Sequence, residues 1–341
     1  MPSPSTRVAS PRSSGRAAGD SRDLTLGIDI GASKVIALVV DRSGRVVRHS
    51  GRLPHANDGP AGVIDVVTKA ARTCLPEGVP RQFQVGVSVA AQVDPATGMV
   101  LHAPNLRWRN LPLGKRIAEA VGGRVSVFND ARSATYAEWS WGAGVGARDL
   151  FCLILGTGVG GSAVLGGQLL EGGTHAAGEV GHIPIVSGGR ACHCPSAGCF
   201  EAYVGGWAIA ERGQEAVRGD SGAGRAIVAR AGSVERITAH HVFLAARAGD
   251  PLAERLVSET ERFLGDGAVG VVNSFNPSLL ILGGGLVSGR PEWVGVVERA
   301  VRKRCQPPSA GVRVVAARLG DDAPAIGAAG LAVRNRAARG R

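Results

Sequence analysis

No stretch of this 341-residue chain approaches the ~18 consecutive apolar residues of a membrane span, so no membrane partner is expected. The opening run MPSPSTRVASPRSSGRAAGDSRD lacks an apolar segment, so a secretory signal is not expected there. Its Arg and Ser would suit an organelle-targeting peptide, but its prolines work against an amphipathic helix. Residues 1–23 are expected to form a disordered tail. Cysteine is sparse: six residues, three of them clustered, do not make a disulfide scaffold in a chain this long. The cytoplasm is therefore the expected compartment. Acidic residues fall short as well, 28 against 39 Lys and Arg, for a net charge of +11. The surplus gathers at the ends, +2 in residues 1–24 and +4 in residues 331–341, with no basic run between them. Solvated basic tails, the second at 336–341, account for this better than specific nucleic-acid binding.

What is present points to a globular α/β protein. Apolar residues make up 44% and charged residues 20%, and the length suits two domains of ~150 residues. Glycine is abundant, 51 residues without a collagen-like period, which predicts tight turns and backbone-lined ligand loops. From Leu24, LTLGIDIG, KVIALVVD and RVVRHSGRL read as antiparallel strands joined by turns. GPAGVIDVVTKAARTCL has helical spacing, with Val63, Val66, Val67, Ala70 and Leu75 on one side. QFQVGVSVA reads as a buried strand, PLGKRIAEAVG as a helix, RVSVFND as a strand and ARSATYAEWSWG as a helix. Such alternation argues an α/β unit. DLFCLILGTGVGGSAVLGGQLLEGG restarts the scheme, so strand, glycine turn and strand occur near 26–40 and again near 150–166. Residues 206 to 275 read as helical, PSLLILGGGLV as a strand entering a third glycine turn, GVRVVAARL as a late strand. DDAPAIGAAGLAVRNR is a final helix with Asp321 as its expected N-cap.

Three glycine turns and one acid carry chemistry. In GIDIGASK a strand ends at Asp29, followed by Gly31, Ser33 and Lys34. Backbone N–H groups, a hydroxyl and an ammonium there suit phosphate oxygens, and Asp29 suits Mg²⁺ directly or through water. LGTGVGG, with Gly156, Thr157, Gly158 and Gly160, imitates a dinucleotide fingerprint, but a strand follows it where that fingerprint opens a helix. It reads instead as a second phosphate clamp. Gly283, Gly284 and Gly285 form the third turn, open enough to admit a base or ribose. In VFND, Asn129 and Asp130 end a strand, where open α/β sheets place ligand groups. Asp130 can cap the next helix, its commoner role, or accept a substrate hydroxyl proton during phosphoryl transfer. Beside the phosphate turns, the base reading leads.

GEVGHIPIVSGGRACHCPSAGCFE sets His182, Cys192, Cys194 and Cys199 in a loop with little apolar content. A Cys₃His set suits tetrahedral Zn²⁺, which would supply the folding energy the loop lacks. The alternative is four unrelated residues. A structural zinc would fix Glu179 and Glu201 to accept hydrogen bonds from sugar hydroxyls, and leave one His182 nitrogen for a sugar oxygen.

Together these residues resemble the ROK family of sugar kinases over about 24–333. GIDIGASK and LGTGVGG are similar to its phosphate motifs, LILGGG and GDDAPAIGAAGLA to its adenosine region, CHCPSAGCFE to its C-x-C-G-x-x-G-C-x-E signature, and APNLRW, FNDARSA and GTHAAGEVGH to its sugar and catalytic stretches. The resemblance implies a two-domain actin-like ATPase (ribonuclease H-like) fold with a zinc-binding loop. A small α/β domain would span 24–133 and regain the final helix at about 322–335; a large one would span 134–321 and carry the loop. It implies Asp130 as catalytic base. Asn105, Asn129, Asp130, Glu179, His182 and Glu201 would contact the sugar, and His182, Cys192, Cys194 and Cys199 would bind zinc. Mg·ATP would phosphorylate a hexose, glucose first, in a homodimer or homotetramer. Fructose, N-acetylglucosamine and N-acetylmannosamine are alternative acceptors, and polyphosphate an alternative donor. Some relatives are sugar-responsive transcription regulators; the 23 residues before the first strand are short for a helix-turn-helix. Ala32 and Ser33 replace the second glycine and the threonine of the first turn, Ala90 and Ala91 a Pro-Gly pair, and Pro195 a glycine. Crowding at Ala32 predicts weaker nucleotide affinity, and strain at Ala90 and Ala91 is expected if that backbone is glycine-only.

Overall fold

The computed structural model describes residues 24–75, 83–219 and 223–339; the expected tail at 1–23 lies outside them. The first β-rich runs form a hairpin and its return, β1 (Thr25–Ile30), β2 (Lys34–Val40) and β3 (Val46–Pro54). Helix α1 (Pro60–Cys74) buries Val63, Ile64, Val67, Ala70 and Ala71, with Val66 at the edge of the expected stripe. Strand β4 (Gln84–Val89) then runs parallel to β1. A three-stranded sheet follows, β5 (Gln92–Asp94), β6 (Met99–Ala103) and β7 (Trp108–Leu111). The sequence reading missed it, because these strands are short and their hydrophobic pattern is broken. Helix α2 (Leu113–Val121) leads to β8 (Arg124–Asn129), parallel to β4, and helix α3 (Asp130–Trp141) starts where β8 ends.

The second half repeats this plan. Strands β9 (Leu150–Leu155), β10 (Val159–Leu165) and β11 (Gln168–Leu169) form the hairpin and its return. Helices α4 (Glu201–Val204), α5 (Gly206–Gly219), α6 (Arg225–Ala231), α7 (Ala239–Arg247) and α8 (Pro251–Phe275) precede β12 (Leu279–Gly283). Asp250 caps α8 through Ala253 N at 3.0 Å, with Pro251 at the first helical position. Helices α9 (Gly285–Gly289) and α10 (Trp293–Arg304), which the sequence reading did not resolve, lead to β13 (Arg313–Ala316). The two large sheets have matching orders, β3-β2-β1-β4-β8 and β11-β10-β9-β12-β13, with matching strand directions. The pseudo-repeat read from the glycine turns is thus a repeat of whole sheets.

The final helix, α11 (Ala323–Arg339), packs against the first sheet and extends past residue 335. It packs on β1, β4 and α3, and glycines allow the close approach. A Cβ on Gly27 would strike the carbonyl oxygen of Ala325; one on Gly86 would strike that of Ala328, and one on Gly327 that of Ser133. The inner faces of both sheets close on α3 and α11. Ile36, Leu38 and Val40 meet Ala134, Ala137 and Ile326 on one side; Leu150, Cys152 and Ile281 meet Ala328 and Leu331 on the other. Helix α3 runs unbroken through residues 133 and 134. Asp321 does not cap α11 as expected. It lies in a 3-10 turn at Gly320–Asp322 and gives its carboxylate to Lys34 and Arg52.

Candidate active site

Parallel strands β1, β4 and β8 end side by side at Ile30, Val89 and Asn129, where their C-terminal residues present polar groups to one region. Asp29 is paired across the sheet with Ser88, whose hydroxyl donates to Asp29 Oδ1 at 2.8 Å. Burial pushes the Asp29 carboxyl up to about 7, opposed by the Ser88 hydrogen bond and Lys34 and reinforced by Asp130 and Asp321.

Asn129 settles the competition over the helix cap. Its Oδ1 accepts from Arg132 N at 3.0 Å, the N-cap bond of α3, while its Nδ2 donates to Ala91 O at 3.3 Å and Asp130 Oδ1 at 3.1 Å. Asp130 therefore sits one residue inside the helix with its carboxylate released from capping. Burial raises its pKa above the ordinary Asp value, partly offset by backbone N–H groups of Ala131 and Asp130 itself. Arg132 is 6% exposed and donates to His175 O at 2.7 Å, which brings the 171–179 segment over the start of α3.

Glu179 enters on that segment. Gly178 and Gly181 press against the carbonyls of Gly161 and Val159 on β10, where a Cβ would not fit. Burial raises the Glu179 pKa; His182 and Arg132 lower it, and Asp130 and Glu201 raise it further. Asp29, Asp130, Glu179 and Glu201 thus form a linked series of carboxylates. Glu201 is turned toward the second glycine turn: Oε2 accepts from Val159 N at 2.7 Å and Oε1 from Trp207 Nε1 at 3.0 Å. Both oxygens keep lone pairs for a further donor.

The turns gather around this series. In the first, Gly31 N donates to Lys34 O at 3.0 Å, and Lys34 Nζ donates to Asp321 Oδ2 at 2.8 Å. Ser33 is exposed. Ala32, Ala90 and Ala91 all have negative φ, so the strain expected at Ala90 and Ala91 is absent. In the second turn Gly156 N bonds Gly158 O at 3.0 Å, and the start of α5 donates from Gly206 N and Trp207 N to the carbonyls of Gly156 and Thr157. Gly160 lies against Ala131, beside Asp130. In the third, Gly284 has φ 91° and packs on Leu155 O, next to the second turn; Gly283 lies against Ala317 and Ile154, and Gly285 opens α9. Asn105 is on a 3-10 turn after β6, its carbonyl accepting from Asn57 Nδ2 at 3.0 Å. His55 Nε2 stands 3.0 Å from Gly31 O. Ser88, His55, Asn57 and Trp207 escaped the sequence reading, since none lies in a motif.

The four cysteine-cluster residues do converge. Ligand atoms of His182, Cys192, Cys194 and Cys199 lie within 4.8 Å of one another. Cys194 and Cys199 sulfurs are 3.6 Å apart, and Cys192 Sγ is 3.7 Å from His182 Nδ1. Thiolates held ~2.3 Å from a tetrahedral zinc stand about 3.8 Å apart, so this donor set fits. All six cysteines are free. The loop clasps α5: His193 stacks on Trp207 at 3.8 Å, and Arg190 bonds Glu215 through two nitrogens at 2.8 and 2.7 Å. Among the described residues, no helix is long and apolar enough to cross a membrane.

A model of the ROK family matches residues 25–335. A glucokinase of Streptomyces coelicolor is 33% identical over 318 residues, 91% of this chain and 97% of that protein. The structure of a ROK family glucokinase from Streptomyces griseus in complex with glucose and AMPPNP has a TM-score of 0.80 at 34% identity, over 91% of this chain and 99% of that one. A xylose repressor of Caldicellulosiruptor bescii is 27% identical over 65% of this chain and 54% of that protein.

Proposed function

Since the chain belongs to the ROK family and shares the actin-like ATPase fold of its sugar-kinase members, we propose that it transfers the γ-phosphoryl group of ATP to a hexose, most simply to the 6-hydroxyl of glucose. The observation that carries this reading is the pair Asn129 and Asp130. Asn129 takes the cap, and Asp130 keeps a half-buried carboxylate of raised pKa at the mouth of three parallel strands. Asp130 accepts the hydroxyl proton as the oxygen attacks phosphorus and releases it to solvent after ADP and the sugar phosphate form. Asn105, Asn129, Glu179, His182 and Glu201 orient the sugar. Gly31, Ser33 and Lys34 of the first turn, and Gly156, Thr157, Gly158 and Gly160 of the second, cradle the phosphates, while Gly283, Gly284 and Gly285 admit the nucleoside. Lys34 trades part of its contact with Asp321 for a phosphate oxygen.

Asp29 would hold Mg²⁺, which when bound neutralises phosphate charge. His182, Cys192, Cys194 and Cys199 would hold a structural Zn²⁺ that stiffens the loop. With Nδ1 toward Cys192, His182 keeps Nε2 for a sugar oxygen. The protein is expected to work in the cytoplasm as a homodimer or homotetramer.

A coupled assay across glucose, mannose, fructose, N-acetylglucosamine and N-acetylmannosamine, with ATP or polyphosphate as donor, tests the reading. Asp130→Asn is expected to lower kcat by ~10²–10⁴-fold with little change in sugar affinity. Near-normal turnover by that variant would remove Asp130 as the base. The xylose-repressor relative favours a second reading, sugar sensing without transfer. Absence of turnover on every sugar, together with a sugar-dependent gel shift, would select it.

A further inference from the structure

Glu138 is a buried carboxylate that the transfer chemistry does not use. It lies on the last turn of α3 and is 1% exposed. Its Oε2 accepts from Ala143 N at 2.8 Å. Its Oε1 accepts from Arg318 N at 2.9 Å and Leu319 N at 2.7 Å. These N–H groups belong to two different stretches. Residues 142–149 carry the chain from the first sheet unit to the second, and residues 317–322 bring it back to α11. The chain crosses between the sheets at these two places. One side chain ties down both crossings, and its own carbonyl accepts from Gly142 N and Gly144 N at 3.0 and 2.8 Å. Gly142 is glycine because a Cβ there would meet the Glu138 carboxylate.

We propose that Glu138 is the positioning residue of the pivot between the two sheet units. It locks both crossings to α3, so that they turn together when the sheets close on substrate. The returning crossing ends in the 320–322 turn, where Asp321 meets Lys34 of the first glycine turn. Glu138 thereby sets where Asp321 and Lys34 stand on the nucleotide side. An apolar residue would fill the space equally well, but three part-buried N–H groups would then lose their acceptor. The mechanical part of this inference stands alone; its kinetic consequence rests on the kinase reading.

Glu138→Gln keeps the shape and removes one acceptor oxygen. Hydrogen–deuterium exchange on the whole chain is expected to show amides of 142–149 and 317–322 exchanging about tenfold faster together, with β1, β4, β9 and β12 unchanged. Acceleration of only one crossing, of neither, or of every strand alike overturns the pivot. In the glucose assay kcat is expected to fall about tenfold while the calorimetric Kd for glucose stays within about threefold. Wild-type kcat, or a loss of glucose affinity as large as the loss of kcat, overturns the positioning role. If the wild-type chain transfers no phosphoryl group, the kinase reading fails and the exchange pattern alone decides. Should Glu138→Gln not fold, Glu138→Asp, one methylene shorter, is read by the same exchange criterion.

Discussion

At the scale of single residues, the site depends on which of two adjacent side chains caps a helix. Asn and Asp cap equally well, so the sequence alone leaves VFND ambiguous. The structure resolves it because Asn129 can also reach Ala91 O, a contact across the sheet that Asp could not donate. Asp29 offers a pH test. Its carboxyl is pushed up from 3.8 to about 7 by burial, so the folded chain holds a proton there that the unfolded chain releases between these values. Stability from this residue is full below that window and is lost as pH rises through 7. Asp29→Asn keeps the Ser88 bond and carries no charge. Its melting temperature relative to wild type should therefore rise between pH 5 and pH 8 in Mg²⁺-free buffer, by the equivalent of roughly 2–4 kcal/mol. A constant difference across that range would show that Asp29 titrates as an ordinary carboxyl.

Among elements, α11 packs with its backbone close against the first sheet. Gly86→Ala should destabilise by about 1–3 kcal/mol or more, because its methyl would meet Ala328 O and neither backbone can yield alone. Gly270, on α8 with open space around it, is the control: Gly270→Ala should be neutral or stabilising by up to ~1 kcal/mol in the same denaturant titration. The loop from Ile183 to Cys199 holds only two isolated bridges, Pro184 with Cys199 and Ala191 with Ala197. Purified protein is expected to carry one zinc per chain by elemental analysis. Cys194→Ser should lose it and melt earlier, whereas retention of zinc by that variant would remove Cys194 from the ligand set. Strands, long helices and glycine turns were legible because their periodicity and punctuation are local. The small sheet β5-β6-β7 and helix α10 were not, since short strands and an Arg-rich helix face carry a weak pattern.

For the whole molecule, two sheets of the same order enclose α3 and α11, and the carboxylate series runs from the ends of β1 and β8 to the turn between β9 and β10. A ligand that bridges them should stabilise the fold. At 100 times its Kd, glucose should add about 2.7 kcal/mol, a melting shift of roughly 3–5 °C for a chain of this length. A panel in which another sugar gives the larger shift would reassign the substrate, and one in which none shifts would set the sugar site aside.

The α/β alternation, the three glycine turns, the Cys₃His set and the acid at the end of β8 are all written in the order of the residues. Each follows from residue type and spacing over a few positions, which act through local sterics and ligand chemistry. Packing in three dimensions is what makes Asn129 the cap, pairs Asp321 with Lys34, sets Glu201 against Val159 N at the second turn, and lets Glu138 reach both crossings. Asn129 with Ala91, Lys34 with Asp321, Val159 with Glu201 and Glu138 with Arg318 lie far apart in the chain. Their partners are chosen by which backbones the packed sheets and helices bring within hydrogen-bond reach, and no local pattern records that.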